Sequence, residues 1–270
     1  MEKNGRLVSA TWLYQHLEMP EIIILDARLR YDPTSAEKEI RIAGARIFDL
    51  ENDFSDKNSP FPNMLPSPED FEKSCKKLGI NNSSKIVVYD HRGIYLSPRV
   101  WWMFKIMGHN NISVLDGGFP EWRNMGYGFE EVVPMPYDTG NFKSDFNPDM
   151  VVNYDGIRHN LKNKTALVID VRSSDRYHSL VPEPRKELRR GNIPNSINIP
   201  YVSVLEDGKY KSLNELKEVF VDLQMEGRPL VFSCGSGVTA CIVLLASEIC
   251  LKNENKVYDG SWTEYAQIAD

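Results

Sequence analysis

The chain has 270 residues, long for one hydrophobic core and natural for two. Its formal net charge of −6 argues against nucleic acid as a partner. Four cysteines, at positions 75, 234, 241 and 250, form no C-x-x-C pair, and no apolar run approaches the roughly eighteen residues of a membrane span, so a metal centre, a disulfide framework and a membrane anchor are all unexpected.

Ile22-Ile23-Ile24-Leu25-Asp26-Ala27-Arg28 is the first strand signal, an apolar run of the kind buried on both faces of a parallel sheet. A helix is expected over Glu69 to Leu78, a strand over Lys85-Ile86-Val87-Val88-Tyr89-Asp90, and a turn at Asp116-Gly117-Gly118. Val133-Pro134-Met135-Pro136-Tyr137-Asp138-Thr139-Gly140 opens a linker that continues to Pro148. The same series then returns. Leu167-Val168-Ile169-Asp170-Val171-Arg172 echoes the first strand, with Asp170 lying 144 positions after Asp26. A helix is expected over Leu213 to Leu223. Pro229-Leu230-Val231-Phe232-Ser233-Cys234 echoes the strand ending at Asp90, again at an offset of 144, and Asp259-Gly260-Ser261 echoes Asp116-Gly117-Gly118. Two head-to-tail copies of one α/β unit explain the steady offset. The expected organisation is a domain over residues 1–132, a linker over 133–148 and a second domain over 149–270. Each domain should be a parallel β-sheet flanked by helices.

The chemistry concentrates in Cys234-Gly235-Ser236-Gly237-Val238-Thr239, between the strand Leu230-Val231-Phe232 and a helical run from Ala240 to Ala246. A strand, a glycine-containing loop and a helix start form an anion-binding arrangement, because loop amides turn inward and the helix N-terminus adds partial positive charge. A sulfur anion is stabilised in such a loop. Gly235 and Gly237 permit backbone angles that a β-carbon resists. A cysteine phosphatase would need an arginine to close the loop on phosphate. No arginine or lysine lies between Cys234 and Ala246, and the position six after Cys234 is Ala240. The loop therefore suits a small or uncharged group on sulfur, such as a persulfide. In the first copy the equivalent position is Asp90, and a carboxylate cannot accept a sulfur atom, so that copy should be catalytically silent.

Cys-Gly-Ser-Gly-Val-Thr-Ala resembles the active loop of the 3-mercaptopyruvate sulfurtransferases, within the two-domain rhodanese superfamily. The resemblance runs from about Val8 to Tyr265. It includes Ser97-Pro98-Arg99-Val100-Trp101-Trp102-Met103-Phe104, Leu115-Asp116-Gly117-Gly118, Pro182-Glu183-Pro184-Arg185 and Tyr258-Asp259-Gly260-Ser261-Trp262. It implies two rhodanese-like domains and a catalytic Cys234 that carries a persulfide, with pyruvate released from 3-mercaptopyruvate and no cofactor. Arg176 and Arg185 match the two substrate arginines, and Gly235, Gly237, Val238 and Thr239 supply the rest of the substrate loop. Tyr95 matches a tyrosine facing the cleft between the domains. Thioredoxin or a small thiol is the implied sulfur acceptor. Ser236 either relays a proton, hydrogen-bonds the sulfur, or is simply a small residue that fits the loop. Trp101, Trp102 and Phe104 are expected to pack, and Arg189 and Arg190 to be surface charge.

One departure from the family pattern bears on rate. A histidine normally precedes Met-Leu-Pro in the first half and works with the loop serine and an aspartate as a proton relay. Here the position is Asn63, and the nearby carboxylate falls on Glu51. Asparagine cannot titrate near neutral pH. Two other functions therefore stay open beside the leading one. A thiosulfate sulfurtransferase is disfavoured by the neutral loop, and a weakly catalytic persulfide carrier is kept in view by Asn63. No secretory signal is read in Met1-Glu2-Lys3-Asn4-Gly5-Arg6. The expected compartment is the cytoplasm, with the mitochondrion as the alternative.

Overall fold

The computed structural model describes residues 5–31, 39–133, 136–223 and 227–269. The chain divides into two compact units. The first takes the described residues of Met1–Lys57, Leu65–Phe146 and Asp207–Lys209; the second takes those of Asn58–Met64, Asn147–Glu206 and Tyr210–Asp270.

In the first unit five strands form one parallel sheet: β1 (Leu7–Val8), β2 (Ile22–Arg28), β3 (Arg46–Asp49), β4 (Lys85–Asp90) and β5 (Ile112–Leu115), in the order β1-β5-β4-β2-β3. In the second, β6 (Val151–Val152), β7 (Leu167–Asp170), β8 (Ile197–Asn198), β9 (Leu230–Ser233) and β10 (Asn255–Tyr258) take the order β6-β10-β9-β7-β8. The two orders are the same. All pairings within both sheets are parallel. The central strands are buried almost throughout, which explains why they read as continuous apolar runs rather than as alternating ones. From β2 the chain steps outward to one side, and from β4 to the other, so the sheet reverses direction between them; β7 and β9 repeat this. Ala27 lies opposite Asp90 and Asp170 opposite Ser233, so each reversal point carries the carboxyl ends of two neighbouring strands. Open parallel sheets bind ligands at such a point.

The helices of the first unit are α1 (Ala10–Gln15), α2 (Pro68–Lys77), α3 (Ser97–Ile106) and α4 (Gly118–Asn124). Those of the second are α5 (Tyr154–Asn163), α6 (Ser174–Tyr177), α7 (Leu213–Val219), α8 (Ala240–Cys250) and α9 (Ser261–Ile268). Their starts follow from local chemistry. The Ser67 hydroxyl accepts the Asp70 N–H ahead of Pro68 in α2, and Ser212 and Glu215 form a reciprocal capping box at α7. The helix expected over Leu213 to Leu223 stops earlier. Fully buried Phe220 turns its N–H onto the carbonyls of Leu216 and Glu218, and Val221–Leu223 forms a separate 3₁₀ turn. Helices α3 and α8 are buried on nearly every face, including Trp101, Trp102 and Phe104 in α3, so neither shows a polar stripe in sequence.

Of the stretch expected as a linker, 133–148, Pro134 and Met135 lie outside the described residues. After them the chain is bonded along the first unit. The Gly140, Phe142 and Asp145 amides donate to the carbonyls of Lys76 (2.9 Å), Ile80 (3.1 Å) and Met107 (2.9 Å). The Phe142 ring is fully buried, 5.8 Å from that of Phe71. This part of the segment is a packed strap rather than a free tether.

Candidate active site

The loop after β9 begins with Cys234, which is only 2% exposed. Its frame is built by Ser261, the first residue of α9. The Ser261 hydroxyl accepts the amides of Cys234 (3.0 Å) and Gly237 (3.1 Å) and donates to the Tyr258 carbonyl (2.8 Å). Ser261 is fully buried with φ +51°, a left-handed conformation that costs a non-glycine residue energy. Gly237 also lies in the left-handed region, at φ +76°, which explains why a glycine stands there. Three more bonds tie α9 to the loop. The Trp262 and Thr263 amides donate to the carbonyls of Cys234 and Gly235, each at 3.0 Å, and the Thr263 hydroxyl donates to Gly235 O at 2.5 Å.

The resemblance assigns Gly235, Gly237, Val238 and Thr239 to the substrate loop. Within that loop the Gly237 N–H serves the loop's own frame. The amides of Gly235, Ser236, Val238, Thr239 and Ala240 have no hydrogen-bond partner among the described residues. Val238 is buried, and Thr239 precedes α8 without capping it through its side chain.

Two arginines border this loop and differ in their partners. Arg176, in α6, approaches Gly235 so closely that a β-carbon there would lie 3.3 Å from its Nη2. Its charge is met by buried Glu183, 2.5 Å from Nη2. Glu183 also takes Arg172 at 2.8 Å, and fully buried Arg172 in turn holds Asp170 at 2.6 Å and stacks over Trp262 at 4.6 Å. Asp170, Arg172, Glu183 and Arg176 thus form a balanced chain of two anions and two cations. Arg185 lies outside it. Arg185 Nη1 donates to the Thr263 hydroxyl at 3.1 Å, and among the described residues no carboxylate pairs with it. Arg190 donates to the Ser179 carbonyl at 3.4 Å, and the Arg189 carbonyl accepts the Trp262 indole N–H.

Asn63 belongs to the second unit and meets the loop directly: its Nδ2 donates to Ser236 Oγ at 2.9 Å. Asn63 has φ +61°, in the region that asparagine enters more readily than most residues. Glu51 and Tyr95 belong to the first unit. The Glu51 carboxylate pairs with Arg30 at the surface, and Arg92 stacks over the Tyr95 ring at 4.3 Å. Burial pushes the Cys75 thiol well above its ordinary value and the Cys250 thiol up to about 11. Cys241 is fully buried in α8 with its Sγ 3.5 Å from the Gly237 carbonyl. Among the described residues, no group of three or more His, Cys, Asp or Glu side chains could hold a metal, and no helix is long and apolar enough to cross a membrane.

The first unit repeats this frame. Arg28 pairs with Asp26 at 2.8 Å and also with Glu39, matching Arg172 with Asp170 and Glu183 at the constant offset of 144. Gly93, at φ +97°, matches Gly237. The content of the loop differs. Asp90 Oδ2 accepts the amides of Tyr95, Leu96 and Ser97, each at 2.9 Å, and the Ser97 hydroxyl at 2.7 Å, while Oδ1 accepts the Arg92 amide at 2.9 Å. The matching amides in the second unit include those of Thr239 and Ala240, which are free.

The two units define a tandem α/β protein, and comparison with known proteins agrees. The rhodanese-like domain family matches residues 9–125 and again 154–268. The chain is 38% identical over 271 residues to the 3-mercaptopyruvate sulfurtransferase of Escherichia coli K12, covering 97% of this chain and 95% of the relative. It is 37% identical over 277 residues to the thiosulfate sulfurtransferase of Rattus norvegicus, covering 97% and 92%. The crystal structure of Escherichia coli SseA, a 3-mercaptopyruvate sulfotransferase, superposes with a TM-score of 0.81 at 36% identity, covering 95% of this chain and 98% of that one. The chain belongs to the rhodanese family, as a tandem pair of rhodanese-like domains. It is an enzyme of the sulfurtransferase class.

Three structural residues escaped the sequence reading. Ser261 and Thr263 stand 27 and 29 positions after Cys234 and reach it only because α9 folds back over the loop. Glu183 was visible only as part of a motif; its spacing of 144 from Glu39, together with the Asp-x-Arg pair in each copy, was the available signal.

Proposed function

We propose that the chain is a 3-mercaptopyruvate sulfurtransferase that works through a persulfide on Cys234, with the first domain catalytically silent. The observation that carries this reading is a buried cysteine in a neutral loop whose amides are free among the described residues, bordered by a cation, Arg185, that no carboxylate pairs with among those residues. A carboxylate beside a ketone fits such a cation, since guanidinium binds carboxylate in a plane.

The Cys234 thiolate attacks the donor sulfur. A sulfur–sulfur bond forms as the carbon–sulfur bond breaks, and the electron pair passes to carbon as the enolate of pyruvate. Arg185 stabilises the charge spreading onto the ketone oxygen. The enolate takes one proton and leaves as pyruvate, while the donor's sulfur stays on Cys234. The free amides of the loop, with Ser236, receive the persulfide. A small thiol or thioredoxin then attacks the outer sulfur and frees the cysteine by thiol exchange. Arg176, neutralised by Glu183, shapes the wall of the loop more than it binds charge.

A thiosulfate donor is the second reading, favoured by the near-equal identity to the rat thiosulfate sulfurtransferase. The neutral loop favours mercaptopyruvate, because a dianionic donor gains from cations within the loop itself. Pyruvate release from mercaptopyruvate, measured beside thiocyanate production from thiosulfate and cyanide, decides between them. Sulfur transfer without pyruvate from mercaptopyruvate would sink the leading reading. A protein that accepts persulfide only from a partner would show neither turnover.

A further inference from the structure

We infer that Thr263 is the positioning residue that fixes the donor-binding cation relative to the nucleophile. The inference rests on the reading of Cys234 and Arg185 just given. The Thr263 side chain is almost fully buried, and its hydroxyl makes two bonds in series. It accepts from Arg185 Nη1 at 3.1 Å and donates to the Gly235 carbonyl at 2.5 Å. Gly235 is bonded in sequence to Cys234. One hydroxyl therefore stands between the cation and the backbone that carries the reactive sulfur.

The direction of the bonds makes the role specific. A guanidinium only donates, and a carbonyl only accepts, so a group joining them must accept on one side and donate on the other. A hydroxyl does both; a methyl group of the same size does neither. Arg185 has no carboxylate to hold it among the described residues, in contrast to Arg176, whose place is set by Glu183. The Thr263 hydroxyl is thus the anchor recorded for the Arg185 side chain. The loop keeps a separate support, because the Thr263 amide also donates to Gly235 O, at 3.0 Å. Removing the hydroxyl should release Arg185 while leaving that backbone bond in place.

The test compares two alkylating agents of similar size. Iodoacetate carries a carboxylate and iodoacetamide a neutral amide, and both react at the same sulfur. The ratio of their rates at Cys234 reports whether a cation stands at the right distance, whatever the natural donor proves to be. Thr263→Val should lower the iodoacetate-to-iodoacetamide ratio by about threefold to tenfold, the range of one ordinary hydrogen bond. Arg185→Ala should lower it at least as far, and Thr263→Ser, which restores the hydroxyl, should return it to the wild-type value. An unchanged ratio in Thr263→Val overturns the inference. So does an equal slowing with both reagents, which marks a packing defect, or a Thr263→Ser variant as impaired as Thr263→Val. If the ratios behave as expected but the wild-type protein releases no pyruvate from mercaptopyruvate, the proposed donor is wrong and the positioning role stands.

Discussion

The loops that follow β4 and β9 share a frame and differ in what fills it. Each begins at the carboxyl end of a central strand, turns at a left-handed glycine and runs into a buried helix. Beside each stands an Asp-Arg-Glu ion-pair chain. In the first loop the Asp90 carboxylate occupies the amides at the start of α3. In the second, the corresponding amides of Thr239 and Ala240 are free and the side chain is a thiol. A carboxylate oxygen and the outer sulfur of a cysteine persulfide lie the same number of bonds from their Cα atoms. On the proposed reading, the first loop is filled by its own carboxylate where the second receives the persulfide. On that reading, silence of the first domain would follow from occupancy, not from a lost framework.

Exchanging the contents breaks or upholds this comparison most sharply. Cys234→Asp should end sulfur transfer and, by filling the loop, slow hydrogen exchange at the Thr239 and Ala240 amides. Cys234→Ser should end transfer without that protection. Intact-mass measurement after donor treatment should show one added sulfur atom on the wild-type protein and none on either variant. Labelling at pH 8 should modify Cys234 and spare Cys250, whose thiol, raised to about 11, is ionised at only about one part in a thousand there. Persulfide on Cys75 or Cys250 would overturn the assignment, and unprotected amides in Cys234→Asp would refute the equivalence of the loops.

The converse change tests the first loop. Asp90→Asn keeps the shape but replaces a carboxylate that accepts four amides and a hydroxyl. However the new amide is turned, its NH₂ group faces at least one donor. The expected cost is about 1.5–3 kcal/mol, the worth of hydrogen bonds to a charged group. It should be read as faster exchange at Tyr95, Leu96 and Ser97. Sulfur transfer per folded molecule should be unchanged; a large loss would give the first loop a part in the chemistry.

Next come the two arginines of the second loop. Arg185→Ala should weaken mercaptopyruvate use by about 1.5–3 kcal/mol, roughly ten- to a hundredfold in kcat/KM. Arg176→Ala should cost less in binding, because its charge is already balanced; its main effect is to leave the Glu183 carboxylate with Arg172 alone. Arg189→Ala should leave kcat/KM within about twofold. Equal losses in all three would mean that the segment acts as a diffuse basic patch, and the distinction between paired and unpaired cations would fail.

Much of this was legible in the sequence, for physical reasons that differ by residue. The central strands announced themselves because burial on both faces leaves no polar alternation. The duplication was readable because the Asp26–Asp170 and Asp90–Cys234 offsets agree. Cys234 stood out because Gly235 and Gly237 have no purpose in an ordinary strand–helix turn. Arg176 and Arg185 looked alike in sequence, since both are arginines in a polar segment; only folding shows that Glu183 neutralises one of them. The roles of Ser261 and Thr263 could not be read, because they depend on α9 returning to the loop after β10. The bond made by the Gly237 amide was hidden for the same reason, as the hydroxyl it meets is 24 positions away.

A small effect is also expected at Asn63, where the family pattern has a histidine. Asn63 Nδ2 donates to Ser236 Oγ, so the serine proton is left to point elsewhere. A protonated or suitably tautomeric histidine donates to the same oxygen, and histidine also tolerates the left-handed backbone found here. Asn63→His should therefore preserve the bond to Ser236 and add one thing, a group that titrates near its ordinary value of about 6.5. If proton transfer at this position limits turnover, the gain should be large, since general acid–base help is worth on the order of a hundred- to ten-thousandfold. The free amides and the start of α8 argue otherwise: they stabilise sulfur anions without moving a proton, and the enolate can take its proton from water or Ser236. We expect Asn63→His to change the neutral-pH rate by less than about tenfold, or about 1.4 kcal/mol. A pH–rate profile of both proteins settles the matter. A larger gain, with a new limb near pH 6.5 in the variant alone, would show that the second loop is incomplete without a titrating partner and that occupancy is not the whole difference between the two loops.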